Sequence, residues 1–213
     1  MKKNNQSLIE ETANSITQGI ALLLSIAGTV ILIVLASRHG DIWRVTCFSI
    51  YGSTLIILYA SSALYHSFPP GRLKHMLKIT EYSAIYLFIA GSYTPFVLIT
   101  LRGELGWTLF SIIWALALAG VIFKIFFIDR FLVLSTITYL AMGWLALIAV
   151  RPMINNFPFK GIVWLIAGGL LYTSGIIFHF SNKLPFHHAI WHLFVIGGSI
   201  CHYLAILFYV LPA

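Results

Sequence analysis

Charge is what this chain has least of. Of its 213 residues only 9 % are charged, while 60 % are hydrophobic and 15 % aromatic; a soluble domain averages about 25 % charged. That scarcity excludes a disordered chain and an ordinary water-soluble globule. Cysteine is nearly absent as well, Cys47 and Cys201 being the only two, which excludes a disulfide scaffold. Barrel strands alternate polar and apolar residues over about ten positions, and neither Ile20–Ala36 nor Leu109–Phe123 alternates. What remains is an integral membrane protein built from helices, since lipid tolerates only helices or closed barrels.

The few charges are spaced informatively. Between them lie seven long charge-free tracts, at 12–37, 45–71, 82–101, 105–123, 131–150, 161–182 and 184–213. A helix needs roughly 20 apolar residues to cross about 30 Å of hydrocarbon. The expectation is an all-α bundle of seven transmembrane helices. It forms one domain over residues 1–213, with 1–17 as a cytoplasmic amino-terminal segment. Lys2 and Lys3 precede a polar stretch with Glu10 and Glu11, and the apolar run that follows is a full span, so no cleaved signal peptide is expected. The longest charged connection, Ser67–Ile79, leaves no room for a soluble domain.

The net charge of +7 is read as membrane topology, because no basic cluster is long enough to track phosphates along nucleic acid. With seven helices, Lys2, Lys3, Arg72, Lys74, Lys78, Lys124, Arg130 and Lys183 share one side. Arg38, Arg44, Arg102, Arg151 and Lys160 share the other. The excess favours a cytoplasmic amino terminus and an outside carboxyl terminus in the plasma membrane. Lys124 falls in the fourth loop, and Arg72, Lys74 and Lys78 in the second. Gly91–Tyr93 and Gly197–Ser199 are small-residue patches suited to close helix packing. Pro95 predicts a kink in the third helix. Trp43, Trp107 and Trp164 read as interfacial anchors.

Ionisable residues inside spans are costly and mark functional sites. On this topology Glu11, Asn14, His66, Glu81, His188 and His192 all fall at one depth near the cytoplasmic side, and a single site is therefore permitted. His188 and His192 are four apart and project from one helix face, a common half-site for zinc, and His66 could supply a third nitrogen. Three histidines with an open position is the catalytic type of zinc site. Ser62 faces the same way as His66 and could hydrogen-bond a water or a substrate carbonyl, or merely bond back to its own helix. Glu81 could accept a hydrogen bond from that water or act as general base. A histidine at a helix end is ordinarily an interfacial polar residue, and His39, His75 and His187 are read so. His179 is intermediate. His202 lies about 21 Å further across the membrane than His188 and is expected to bond between helices.

Four segments carry a resemblance: Glu-Glu-Thr-Ala-Asn-Ser-Ile-Thr (10–17), Ser-Ala-Leu-Tyr-His-Ser (62–67), Ala-Gly-Ser-Tyr-Thr-Pro-Phe (90–96) and His-His-Ala-Ile-Trp-His-Leu-Phe-Val (187–195). Together they resemble the hemolysin III proteins, the bacterial branch of the progestin-and-adipoQ-receptor family, from residue 10 to about 206. The resemblance implies seven helices, a cytoplasmic amino terminus, and zinc held by His66, His188 and His192. It carries the family Ser to Ser62 and the amino-terminal Glu and Asn to Glu11 and Asn14. The receptor branch usually has Asp where this chain has Glu81, which puts the reach of the longer side chain in question. Many relatives have His where this chain has Gln18, and Gln18 is given no site role.

Three functions are expected from this. The first is a zinc-dependent hydrolase of a lipid amide or ester, with membrane lipid as substrate. The second is a receptor or sensor with structural zinc. The third is a pore-forming cytolysin, which the sequence supports poorly because a water-filled pore wants rings of polar side chains. The oligomeric state is left open.

Overall fold

The computed structural model describes residues 7–38, 41–181 and 184–212, all of it helices and short connections, with no strand among those residues. Lys2, Lys3, His39 and Lys183 lie outside the described residues. The elements are α1 (Leu8–Arg38), α2 (Ile42–Ser67), α3 (Arg72–Pro95), α4 (Glu104–Phe127), α5 (Leu132–Trp144), α6 (Val150–Asn156), α7 (Phe159–His179) and α8 (His187–Ala205). A wide π turn, Phe96–Thr100, extends α3, and another, Ile206–Val210, extends α8. A tight 3-10 turn, Leu145–Ala149, joins α5 to α6. Seven helical stretches are long and apolar enough to cross a membrane, α5 and α6 together making the fifth.

Most of the helices begin earlier than the charge gaps predict. α1 starts at Leu8, so residues 8–17 are already its first turns. α3 starts at Arg72, which places Arg72, Lys74 and Lys78 on a helix and leaves only Phe68–Gly71 between α2 and α3. Lys124 lies in the last turn of α4 and is fully buried, not in a loop. The reason is physical. A charge must leave the hydrocarbon, but it need not leave the helix, whose backbone hydrogen bonds close internally at any depth.

α1 packs along α2, α2 along α3 and α3 along α4, while α7 pairs with α8 and α8 returns to α1. Small residues set the closest approaches. A Cβ on Gly91 would collide with Thr54 of α2, and one on Gly198 would meet Tyr172 of α7 at 2.7 Å. This is the small-residue packing expected of those patches. Pro95 ends α3, and the π turn that follows is braced when Trp43 Nε1 donates to Leu98 O at 2.9 Å. Trp43 is therefore a tie between helices as well as an end residue. Cys47 and Cys201 are free and buried.

Between the fifth span and its neighbours lies a cavity of about 340 Å³ lined mainly by α2, α3, α5, α7 and α8. Its wall is largely apolar, with Phe88, Leu58, Tyr139, Trp144 and Val195 among the contributors. The polar exceptions at one end include Ser62, Glu81, His179 and His192.

Candidate metal centre

His66 sits in the last turn of α2, Glu81 in the third turn of α3, and His188 and His192 at the start of α8. Each of the four offers one ligand atom, and all four atoms lie within 4.8 Å of one another. Ring centroids are 5.0 Å apart for His66 and His188, 5.2 Å for His66 and His192, and 4.5 Å for His188 and His192. The common depth read from the sequence thus corresponds to lateral meeting, of the consecutive helices α2 and α3 with the sequence-distant α8.

The nitrogens are arranged for a ligand. His66 Nε2, His188 Nε2 and both ring nitrogens of His192 are buried and find no hydrogen-bond partner among the described residues. Buried polar atoms are nearly always partnered, and three such imidazoles, each offering one nitrogen to the same point, fit a metal ion. Three imidazole nitrogens with a carboxylate are a donor set suited to zinc and other first-row metals.

A second layer fixes these rings. His66 Nδ1 lies 2.7 Å from Glu11 Oε2, which makes Nδ1 the protonated donor and leaves the Nε2 lone pair pointing into the group. Asn14 Nδ2 is 3.5 Å from the same His66 Nδ1. Glu11 Oε1 accepts from Lys74 Nζ at 2.9 Å, and Lys74 lies over the Tyr65 ring. Ser62 Oγ donates to Glu81 Oε1 at 2.6 Å, so the hydroxyl serves the site and does not bond back along its own helix. Glu81 Oε1 is 3.6 Å from His66 Nε2, and the extra methylene relative to Asp therefore does not keep the carboxylate away.

Of the site residues read from the sequence, Ser62, His66, Glu81, His188 and His192 come together directly, while Glu11 and Asn14 reach them through His66. Glu10 was not anticipated. It accepts the backbone N–H of Phe186 at 3.0 Å and so ties the start of α1 to the entry of α8. Trp191 was also missed; its ring lies 4.9 Å from His188 and 5.0 Å from His192. The Glu10 tie depends on which helices are neighbours, and nothing in a single sequence shows that. Trp191 could have been found, because it lies between the two ligand-spaced histidines. Gln18, given no role, is buried in the cavity wall.

The remaining histidines sort differently than expected in one case. His75 is exposed and lies 3.9 Å from Asp129, as an interfacial residue should. His187, expected to be interfacial, is buried with Nδ1 3.1 Å from Phe178 O, because the turn before α8 folds it back onto the end of α7. His202 packs edge-on against Tyr172 of α7 at 5.3 Å and takes no part in the cluster.

A seven-span helical bundle with a buried three-histidine, one-glutamate group at the end of its cavity defines a multi-pass membrane protein with a metal-capable centre. The chain belongs to the family described as haemolysin-III related, whose pattern matches residues 6–203. It is 51 % identical over 212 residues to Hemolysin-3 of Bacillus cereus, covering 100 % of this chain and 97 % of that one. It is 50 % identical over 200 residues to a Hemolysin-3 homolog of Bacillus subtilis (strain 168), covering 94 % of each. The human monocyte to macrophage differentiation factor is 32 % identical over 203 residues, 92 % of this chain and 83 % of that one.

Proposed function

We propose that this chain is a zinc-dependent hydrolase of a lipid amide or ester, with its centre at the cytoplasmic side of the plasma membrane. The observation that carries the reading is the four ligand atoms within 4.8 Å of one another, at the end of an apolar cavity. His66, His188 and His192 are the residues that would hold zinc. Bound zinc would supply Lewis-acid polarisation of a carbonyl and activation of water at neutral pH.

The chain's own groups supply the rest. Glu81 Oε1, beside His66 and bonded to Ser62, stands where a proton can be taken from water and returned to a leaving amine or alcohol. Ser62 holds that carboxylate in one rotamer and can turn its hydroxyl to a substrate carbonyl. The apolar cavity gives acyl chains a place beside the acid–base pair. The cytoplasmic assignment rests on the excess of basic residues at the end that carries the site.

The apolar cavity wall argues against a water-filled pore. A purified-protein assay of product release from acyl-amide and acyl-ester lipids tests the hydrolase reading. Wild type is expected to release product and His188→Ala to release none above background. Equal release by both, or none by either in zinc-replete protein, would overturn the reading, and the latter result would favour a receptor with structural zinc.

A further inference from the structure

The turn that delivers α8 to the metal-capable group is pinned at three consecutive residues, each to a different helix. Phe186 N–H donates to Glu10 Oε1 of α1 at 3.0 Å, and His187 Nδ1 lies 3.1 Å from Phe178 O of α7. The ring of His188 faces that of His66 of α2 at 5.0 Å between centroids.

Phe186 is where this turn is strained. Its φ of 55° is left-handed, which a bulky side chain adopts only when its surroundings hold it there. It is the N-cap of α8, and its own side chain caps nothing. In a capping box the N-cap N–H is taken by a Glu or Gln three positions on. In α8 that position is Ala189, which has no acceptor. Glu10 takes the N–H instead, from another helix, and brings a carboxylate to the positive end of α8.

The same carboxylate caps its own helix. Glu10 Oε2 accepts Ser7 N–H at 3.0 Å, and Ser7 Oγ accepts Glu10 N–H at 3.3 Å. The next residue, turned about 100° around α1, is Glu11, whose Oε2 lies 2.7 Å from His66 Nδ1. Two adjacent carboxylates thus hold the two helices that carry the three imidazoles, α8 through Glu10 and α2 through Glu11. α1 packs against both α2 and α8, which approach each other far less.

We propose that Glu10 is a positioning residue of the metal centre, which caps α8 from α1 and thereby sets where His188 and His192 stand relative to His66. The inference rests on the metal reading of the four-residue group and not on lipid hydrolysis. Glu10 acts as an acceptor of the right reach, and its charge is secondary.

The test uses the full chain in micelles loaded with Co2+, a first-row ion that suits the same donors and whose visible absorption reports ligand geometry. Glu10→Ala is expected to shift that absorption and to release metal to excess chelator about tenfold faster than wild type. Glu10→Asp keeps the charge but draws the carboxylate back by one C–C bond, about 1.5 Å, and should behave as Glu10→Ala does. Glu10→Gln loses the charge, keeps an acceptor oxygen at full reach, and should restore the wild-type spectrum and release rate. Ser7→Ala weakens the cap of α1 alone and should leave both readings unchanged. Wild-type behaviour in Glu10→Ala overturns the proposal and leaves the metal centre standing. Rescue by Asp in place of Gln overturns it in favour of charge, and this pair decides if Glu10→Ala does not fold. A Ser7→Ala effect as large as that of Glu10→Ala overturns it by showing that Glu10 serves only its own helix. A wild type that binds neither Co2+ nor zinc removes the centre and the proposal together. The expected pattern in a protein that hydrolyses no lipid would support the role of Glu10 and remove the hydrolase.

Discussion

Glu11 of α1 and His66 of α2 meet through a 2.7 Å contact between carboxylate Oε2 and ring Nδ1, across 55 residues of sequence. The contact fixes both the tautomer and the plane of the imidazole that faces His188 and His192. Outer-shell partners of this kind typically change metal affinity by about 10–100-fold when lost. Glu11→Gln, which keeps an acceptor but not the charge, is expected to weaken metal binding about tenfold, and Glu11→Ala more. Competition against a chromophoric chelator measures this, and unchanged affinity in Glu11→Ala would mean that His66 is oriented by packing alone.

Metal content itself separates ligands from bystanders. About one metal ion per chain is expected for wild type, lost in His66→Ala, His188→Ala and His192→Ala and kept in His202→Ala, whose ring lies outside the cluster. Elemental mass spectrometry reads this directly and names the metal. A bound ion also stabilises the folded state by mass action. Chelation should therefore lower the Tm of wild type and leave that of the triple histidine variant unmoved.

The 2.6 Å bond from Ser62 to Glu81 makes a division of labour testable. Glu81→Gln removes the proton acceptor and should lower kcat of lipid hydrolysis about 10²–10⁴-fold. Ser62→Ala removes only an orienting bond, and a loss nearer tenfold is expected. Both variants should bind metal. If Ser62→Ala is as damaging as Glu81→Gln at equal metal content, the hydroxyl acts on the reacting atoms and not merely on the carboxylate.

Much of this was legible in the sequence, for a physical reason. Lipid expels charge, so the gaps between charges mark spans, and spans of fixed rise turn sequence position into depth. Depth brought His66, Glu81, His188 and His192 to one level, and the spacing of four put His188 and His192 on one face. Depth says nothing about lateral neighbours, which is why the Lys74–Glu11 pair and the Glu10 tie to Phe186 were not foreseen. Charge gaps also mistake where helices end. Lys124 looked like a loop residue because it closes a gap, whereas its chain continues as helix for three more residues.

The break in the fifth span could not be read from composition either, and it depends on one side chain. Tyr93 of α3 donates its hydroxyl toward Met142 O and Gly143 O, at 2.8 and 2.7 Å, and accepts the N–H of Ala146 at 2.8 Å. These are backbone groups on both sides of the switch from α5 to the 3-10 turn, where the regular ladder ends and water is absent from the surrounding hydrocarbon. Hydrogen bonds inside membrane proteins average about 0.6 kcal/mol and reach about 1.7. Tyr93→Phe removes an oxygen that serves both sides of the break and should cost about 1–2 kcal/mol. Denaturant titration in micelles measures the loss, and metal content should be unchanged because Tyr93 is not one of the four clustered side chains. Wild-type stability in Tyr93→Phe would show that water from the cavity reaches the broken turn, whose residues Gly143 and Ala146 line it. In that case the fifth span would be wetted from inside the bundle and not sealed by α3.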